Sequence, residues 1–315
     1  MGPVALLVCF NRPDLVKRRL FELNVSTLLP EKLVITIDGP RTTEDVIQIH
    51  EILRTVNSAS FPYPIQLIQR EMNLGCTNHV ISAVTEILKT NSQVVVIEDD
   101  VVIGKNFIQS MSDGLDYIQD HESIGIVGAF SPFREIPFLS FIPVKNYWRK
   151  TSYFSAWGWA TNAEFWNKFR PVTELDDIQE YLSDSHQWRQ FSARKKQVWL
   201  NRFERGIWDF NVQMILFKHS MDCLLPFFRL IDNEGFGDSR STHTKHSRPK
   251  TLFGFGASDK LPKFSNLNRC NLINGKIWQF LDSNLWAADG HFNARARTAG
   301  IRTILRQIGR KVTKT

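Results

Sequence analysis

The chain has no run of about 18 apolar residues, so it predicts no membrane-spanning helix. Its start lacks a basic leader, and the apolar stretch Ala5–Phe10 runs at once into Asn11-Arg12-Pro13, which is too short for a secretion signal. Cysteine is scarce: Cys9, Cys76, Cys223 and Cys270 stand far apart and form no C-x-x-C pair. The expectation is reduced thiols in a cytoplasm, with Cys9 a core residue. No internal repeat or low-complexity linker divides the 315 residues. No glycine-rich phosphate loop follows the first apolar segment either, where Asn11-Arg12-Pro13-Asp14 stands instead. Acid is absent from residues 293–315, which carry Arg295, Arg297, Arg302, Arg306, Arg310, Lys311 and Lys314. That tail accounts for the whole net charge of +7; elsewhere Lys and Arg equal the 32 Asp and Glu. A formally neutral body excludes a broad nucleic-acid-binding surface.

What is present is an alternation of strand-like and helix-like segments. Val4–Phe10, Leu33–Asp38, Ile65–Gln69, Val94–Glu98 and Ile124–Val127 read as strands. Helices are predicted between them: Pro13 to about Leu23, Thr42 or Thr43, followed by Glu44 and Asp45, to about Val56, about 77–90 and Lys105–Gln119. Strands alternating with helices of this length predict an α/β fold with a mostly parallel sheet. Residues 1–130 form the first half of this reading. Residues 131–245 are richer in aromatics, glycine and proline, and read as a second half packed on the first. Residues 246–292 are poorly readable. Within 293–315, Ile301, Ile304, Leu305, Ile308 and Val312 alternate with arginines as a basic amphipathic helix. Such a helix suits an anionic membrane surface, or a terminal helix docked on its own domain with a solvated basic face.

The densest signal is Val94-Val95-Val96-Ile97-Glu98-Asp99-Asp100. A fully apolar strand runs straight into three acids. Open α/β sheets bind ligands beyond the carboxyl ends of their strands, and adjacent carboxylates are costly to bury without a cation. Hard oxygen ligands suit Mn2+ or Mg2+ bridging to a diphosphate. A solvated acidic turn is the plain alternative. The other predicted strand ends add Asn11-Arg12, Asp38-Gly39 and Asn73-Leu74-Gly75, which a parallel sheet would bring to the same edge.

This pattern resembles the GT-A fold glycosyltransferases, which use nucleotide-sugar donors. Val94–Asp100 followed by Asn106-Phe107 looks like the metal-binding segment of the N-acetylglucosaminyltransferase I type. Tyr153-Phe154-Ser155-Ala156-Trp157-Gly158-Trp159 resembles its acceptor-side segment, and Gly206-Ile207-Trp208-Asp209 its Trp-Asp motif. Asn233-Glu234-Gly235-Phe236-Gly237, with Ser241-Thr242-His243-Thr244, is similar to the closing segment of related bacterial family 2-like enzymes. The matched segments span roughly residues 4–245.

The resemblance implies roles. Asp100 would bind the metal directly, with His243 completing that site or hydrogen-bonding the diphosphate; an exposed loop histidine is the alternative. Glu98 and Asp99 would contact ribose, donor sugar or metal-bound water. Arg12 and Asp38 would hold base and ribose, with Asn73 near the base. Asp209 would accept the proton of the acceptor hydroxyl. Gly158, Trp159 and Trp208 would lie on the acceptor side, the indoles stacking on sugar or filling core. One carboxylate base with one metal on the leaving group describes an inverting single displacement. The expected partners are a nucleoside diphosphate sugar, first of all a UDP-sugar, and a glycan or lipid-linked acceptor in bacterial surface glycan assembly. The expected place is cytoplasmic, on the inner face of the membrane if the tail binds there. The rival readings are a sugar-nucleotide nucleotidyltransferase and a non-catalytic glycan-binding protein.

Overall fold

The computed structural model describes residues 1–131, 147–169, 175–204, 208–236, 238, 240 and 257–264. Strands β1 (Ala5–Cys9), β2 (Leu33–Ile37), β3 (Ile65–Gln69) and β4 (Gln93–Glu98) lie parallel in the order β3-β2-β1-β4. β1 and β2 are buried along their whole length. β3, whose sequence Ile-Gln-Leu-Ile-Gln is half polar, takes the sheet edge. The connecting helices are α1 (Pro13–Asn24), α2 (Thr43–Ser58) and α3 (Gly75–Leu88), with α4 (Phe107–Gln119) following β4. α1 opens on Pro13, whose missing N–H costs nothing at that position. α2 opens on a capping box, in which the Thr42 side chain and the Asp45 carboxylate satisfy each other's backbone N–H.

Alternate residues of β1 and β4 serve opposite cores, as strand geometry requires. Leu7, Val95 and Ile97 face α1, α2 and α4 through Leu20, Ile52 and Met111. Leu6, Val94 and Val96 face α3 through Val80, Val84 and Ile87. The mostly parallel, helix-flanked sheet matches the fold class expected from the sequence.

The second half continues the same sheet. β6 (Ile124–Gly128), β7 (Trp148–Thr151), β8 (Trp159–Asn162) and β9 (Asp222–Pro226) complete eight strands in the order β3-β2-β1-β4-β8-β6-β9-β7. β8 is wedged antiparallel between β4 and β6. β5 (Val101–Ile103) and β10 (Ile231–Asn233) form a separate antiparallel ribbon. Short helices α5 (Ala163–Trp166), α6 (Leu175–Leu182) and α7 (His186–Arg189), with α8 (Ala193–Glu204) and α9 (Asp209–His219), complete the described elements. Tyr153, Ile178, Trp188, Trp199, Phe210 and Phe217 close a third, aromatic core among α6–α9. Among the described residues no helix is long and apolar enough to cross a membrane.

Close packing at β6 gives a direct test. A Cβ on Gly125 would sit 2.0 Å from Cδ2 of the buried Phe165. Gly125→Ala is expected to cost about 1–3 kcal/mol through overpacking. In urea denaturation the midpoint falls while the slope is unchanged; an unaltered midpoint would show that the Phe165 ring yields freely.

Candidate active site

The carboxyl ends of β1, β2, β3 and β4 meet at one edge, where a pocket is lined by Arg12, Asp38, Asn73, Cys76, His79, Glu98 and Asp99. The acid triplet sits at a corner. β4 ends at Glu98, Asp99 and Asp100 form the turn, and β5 leaves for the ribbon with β10. Three carboxylates cannot continue a strand buried on both faces, so the chain leaves the sheet here.

Arg12, the residue before α1, is tied to this corner. Its Nη2 donates to Asp99 Oδ1, its Nε to Asp99 Oδ2 at 3.2 Å, and its Nη1 to Asp100 Oδ2 at 3.1 Å. Both carboxylates raise the Arg12 pKa further. Arg12, expected at base and ribose, is thus bonded to the two acids. Asp100 is also held from its other side. Asn233 Nδ2 donates to its Oδ1 at 3.3 Å, and the Glu234 N–H donates to its carbonyl at 2.9 Å. Gly235 presses so close that a Cβ there would lie 2.3 Å from Asp100 Oδ2. Glu234 is in turn anchored to α1 by Arg18 at 2.6 Å and by the buried Arg19 at 2.9 Å.

Asp38 is buried and saturated. It accepts from the backbone N–H groups of Gly39, Leu74 and Gly75 at 2.9, 2.8 and 3.0 Å and from Asn73 Nδ2 at 3.0 Å. Asn73 Nδ2 also reaches the Gly39 carbonyl at 2.8 Å. The two loops touch at Gly39, where a Cβ would meet the Met72 carbonyl carbon at 2.2 Å. Asp38 and Asn73 therefore shape the β2/β3 wall of the pocket by fastening its loops together.

Asp209 opens α9. Burial pushes its carboxyl up to about 6, against the opposing pull of Arg202 and of backbone N–H groups at the helix start. Its charge is felt at the β4 end. Burial, then Asp100 and Asp99, hold the Glu98 carboxyl well above the usual range, and Asp209 adds to the same effect. Burial also raises Asp99 to about 6, with Arg12 pulling the other way. Desolvation, then Glu98, Asp100, Asp209 and Asp99, raise the Cys76 thiol. Glu98 thus feels the charges of Asp99, Asp100 and Asp209, while Arg12 is the guanidinium bonded to Asp99 and Asp100.

Among the described residues, no three His, Cys, Asp or Glu side chains converge closely enough to cage a metal. The donor chemistry at Asp99 and Asp100 fits a hard divalent ion, because such ions commonly take one or two carboxylates and complete their shell with phosphates and water. The excess of negative charge at the corner favours a cation there as well. His243, expected as a second ligand, lies outside the described residues, as do Gly206, Ile207 and the basic tail.

The tryptophans need correction. Trp159 is fully buried in β8, and Trp208 is buried against it with ring centroids 5.9 Å apart. Both belong to the core shared with α3 and Phe154, so neither presents a face to a sugar. Gly158 precedes the strand with φ +63°, a conformation that side chains rarely adopt, and Phe107 and Ile231 fill the space a Cβ would need. The half-buried indole is Trp157, edge-on to Phe130 at 4.8 Å and to Phe236 at 5.6 Å. Arg41, His79 and Arg240, which also line the pocket, were not among the residues expected from the sequence. Arg41 stacks over the Phe10 ring at 4.4 Å. His79, pushed down by burial, lies 3.8 Å from Asp38. Arg240 holds Asp14 through Nη1 at 2.7 Å. Only His79 left a signal, as a histidine on the apolar stripe of a predicted helix.

No protein-family model matches the chain, and no curated protein matches its sequence. Solved structures are similar to it at low identity. One is a mannosyltransferase from Pyrobaculum calidifontis in complex with GDP-Man and Mn2+, 13% identical over 69% of this chain and 70% of that one, with a TM-score of 0.39. Another is glucosyl-3-phosphoglycerate synthase from Mycobacterium tuberculosis with Mn2+, UDP and glucosyl-3-phosphoglycerate, 12% identical over 52% of this chain, with a TM-score of 0.32. The chain spans 58% of the length of that synthase.

Proposed function

We propose that the chain is a GT-A glycosyltransferase that moves a sugar, hexosyl or N-acetylhexosaminyl, from a nucleoside diphosphate sugar to a hydroxyl acceptor with inversion. The observation that carries this reading is the acidic end of β4, Glu98 to Asp100, lying beside a pocket at the carboxyl edge of the parallel strands, with the charge of Asp209 felt at Glu98. A carboxylate raised to about 6 stands within electrostatic reach of an acidic strand end that suits a cation. An isolated acidic turn would account for the corner but not for a second, remote carboxylate brought to it.

In this reading the residues divide the work. Asp38 and Asn73 hold the loops that bound the base and ribose, and Glu98 and Asp99 face ribose, donor sugar or metal-bound water. Asp100, with His243, would hold Mn2+ or Mg2+, which when bound neutralises the charge on the departing diphosphate. Asp209 accepts the proton of the attacking hydroxyl from the opposite side. Gly158 fixes the turn that leads from Trp157 into β8, and Trp157 with Phe236 offers the acceptor-side aromatic surface. Trp159 and Trp208 support it from the core. The donor we assign first is a UDP-sugar. The acceptor is a glycan or lipid-linked glycan of bacterial surface assembly. The setting is cytoplasmic, with the basic tail on an anionic membrane face; nucleic acid is not a partner.

The test is a thermal-shift panel of nucleoside diphosphates, each with and without Mn2+. A ligand that binds only the native state at 100 times its Kd stabilises by about 2.7 kcal/mol. UDP or another diphosphate should raise the melting temperature, and more so with Mn2+. A flat response to every diphosphate would remove the transferase reading and leave glycan binding as the alternative.

A further inference from the structure

Arg12 occupies an unusual position for a residue beside a cation site. Its guanidinium spans two carboxylates, taking both oxygens of Asp99 and Oδ2 of Asp100. Only 13% of its side chain is exposed, against 3% for Asp99 and 9% for Asp100. It lines the pocket beside Asp99 and occupies carboxylate oxygens through which the two acids would meet a ligand. The carboxylate behind it does not depend on it for position. Asn233 holds Asp100 Oδ1, Gly235 packs against Oδ2, and the Glu234 N–H fixes the backbone carbonyl. Glu234 is itself braced to α1 through Arg18 and Arg19.

We propose that Arg12 is an internal counter-ion that fills the cation's place at Asp99 and Asp100 and must leave Asp100 for a divalent ion to bind there. The inference rests on the metal-assisted reading given above and adds to it an ordering device. A single positive charge keeps the acidic corner folded while no ligand is bound. A divalent ion alone competes poorly with it, because the fork is bidentate and nearly dry. A nucleoside diphosphate changes the balance, since its phosphates help to hold the ion and also offer the freed guanidinium a new anionic partner. Metal and nucleotide then bind with positive coupling, and Arg12 is the residue through which they are coupled. Arg12 is a positioning residue here, acting through Asp100.

The experiment measures Mn2+ binding to the full chain by paramagnetic resonance of the free ion, with and without UDP, in wild type, Arg12→Gln and Arg12→Lys. Arg12→Gln should bind Mn2+ alone at least about fivefold more tightly than wild type, the low end of ordinary site coupling. The tightening that UDP brings should shrink in the variant. Arg12→Lys, which keeps the charge without the fork, should fall between. Equal or weaker Mn2+ affinity in Arg12→Gln overturns the inference. If Arg12→Gln is unfolded without metal, recovery of its native circular dichroism on adding Mn2+ supports the counter-ion role, and failure to recover overturns it. The two readings separate cleanly. Tighter Mn2+ binding in the variant, with no diphosphate bound by wild type, would sink the transferase reading and the nucleotide coupling, and keep only the counter-ion role of Arg12. UDP binding by wild type, with Mn2+ bound by neither protein, would do the reverse.

Discussion

Asp209→Asn is expected to lower the transfer rate by about 10²–10⁴-fold, the ordinary contribution of a positioned general base. Donor affinity should stay near wild type. The replacement keeps the shape of the side chain at the first turn of α9 and removes only its capacity to take a proton. The wild-type rate should rise with pH through about 6, where burial has brought this carboxyl, and level off above it. The variant should lose that limb of the profile. Stability should move in the opposite sense. A carboxyl raised in the folded state contributes stability that is complete below its unfolded value and lost as pH rises through about 6. Asp209→Asn should therefore melt at a higher temperature than wild type at neutral pH, with the gap closing in acid. Paired calorimetry and rate measurements on a cognate acceptor decide the matter. A normal rate removes Asp209 from the mechanism, and a parallel loss of donor binding makes it a donor-site residue.

The second large effect concerns Asp100. Asp100→Asn is expected to abolish the Mn2+-dependent part of the stabilisation by nucleoside diphosphate while leaving the fold intact. Gly235→Ala should approach the same result without touching an acid. Its new methyl would lie 2.3 Å from Asp100 Oδ2 and 3.1 Å from Asp100 Cβ, so the carboxylate must turn away. Thermal shift with UDP, with and without Mn2+, reads both variants. If Asp100→Asn retains full metal-dependent stabilisation, Asp100 is not a metal ligand. If only Gly235→Ala retains it, the side chain has more freedom than its neighbours suggest.

The parallel half of the fold was legible because burial on both faces leaves a plain mark. Leu33–Ile37 and Val94–Ile97 are unbroken apolar runs, and the helices between strands carry their stripes at the helical period. The capping box at Thr42 was equally local. What escaped depends on distant partners. Trp159-Ala160-Thr161-Asn162 is too short and mixed to announce a central strand, and only β4 and β6 on either side make it one. The β5/β10 ribbon is three residues on each side, held by pairing across more than a hundred residues of chain. At the site, the sequence named the acids, Asp38, Asn73 and Asp209 as candidates. It could not show that Arg12 bonds to Asp99, because a pair 87 positions apart leaves no trace in the residues between. Trp159 and Trp208 were misplaced for a related reason: an indole beside a glycine or an acid reads the same in a core as in a cleft.

The wedge of β8 between β4 and β6 has a consequence for biosynthesis. β4 leaves the ribosome about 60 residues ahead of the strand that covers its open side, and β6 also precedes β8. At about 5–20 residues per second the gap lasts roughly 3–12 s. Throughout that interval the Val94–Ile97 strand has an unsatisfied backbone edge beside β1, which invites pairing with a neighbouring nascent chain. Pauses in translation between residues 98 and 159 should therefore reduce soluble yield more than pauses elsewhere, and a chaperone that shields apolar strands should act on this protein before its centre has closed.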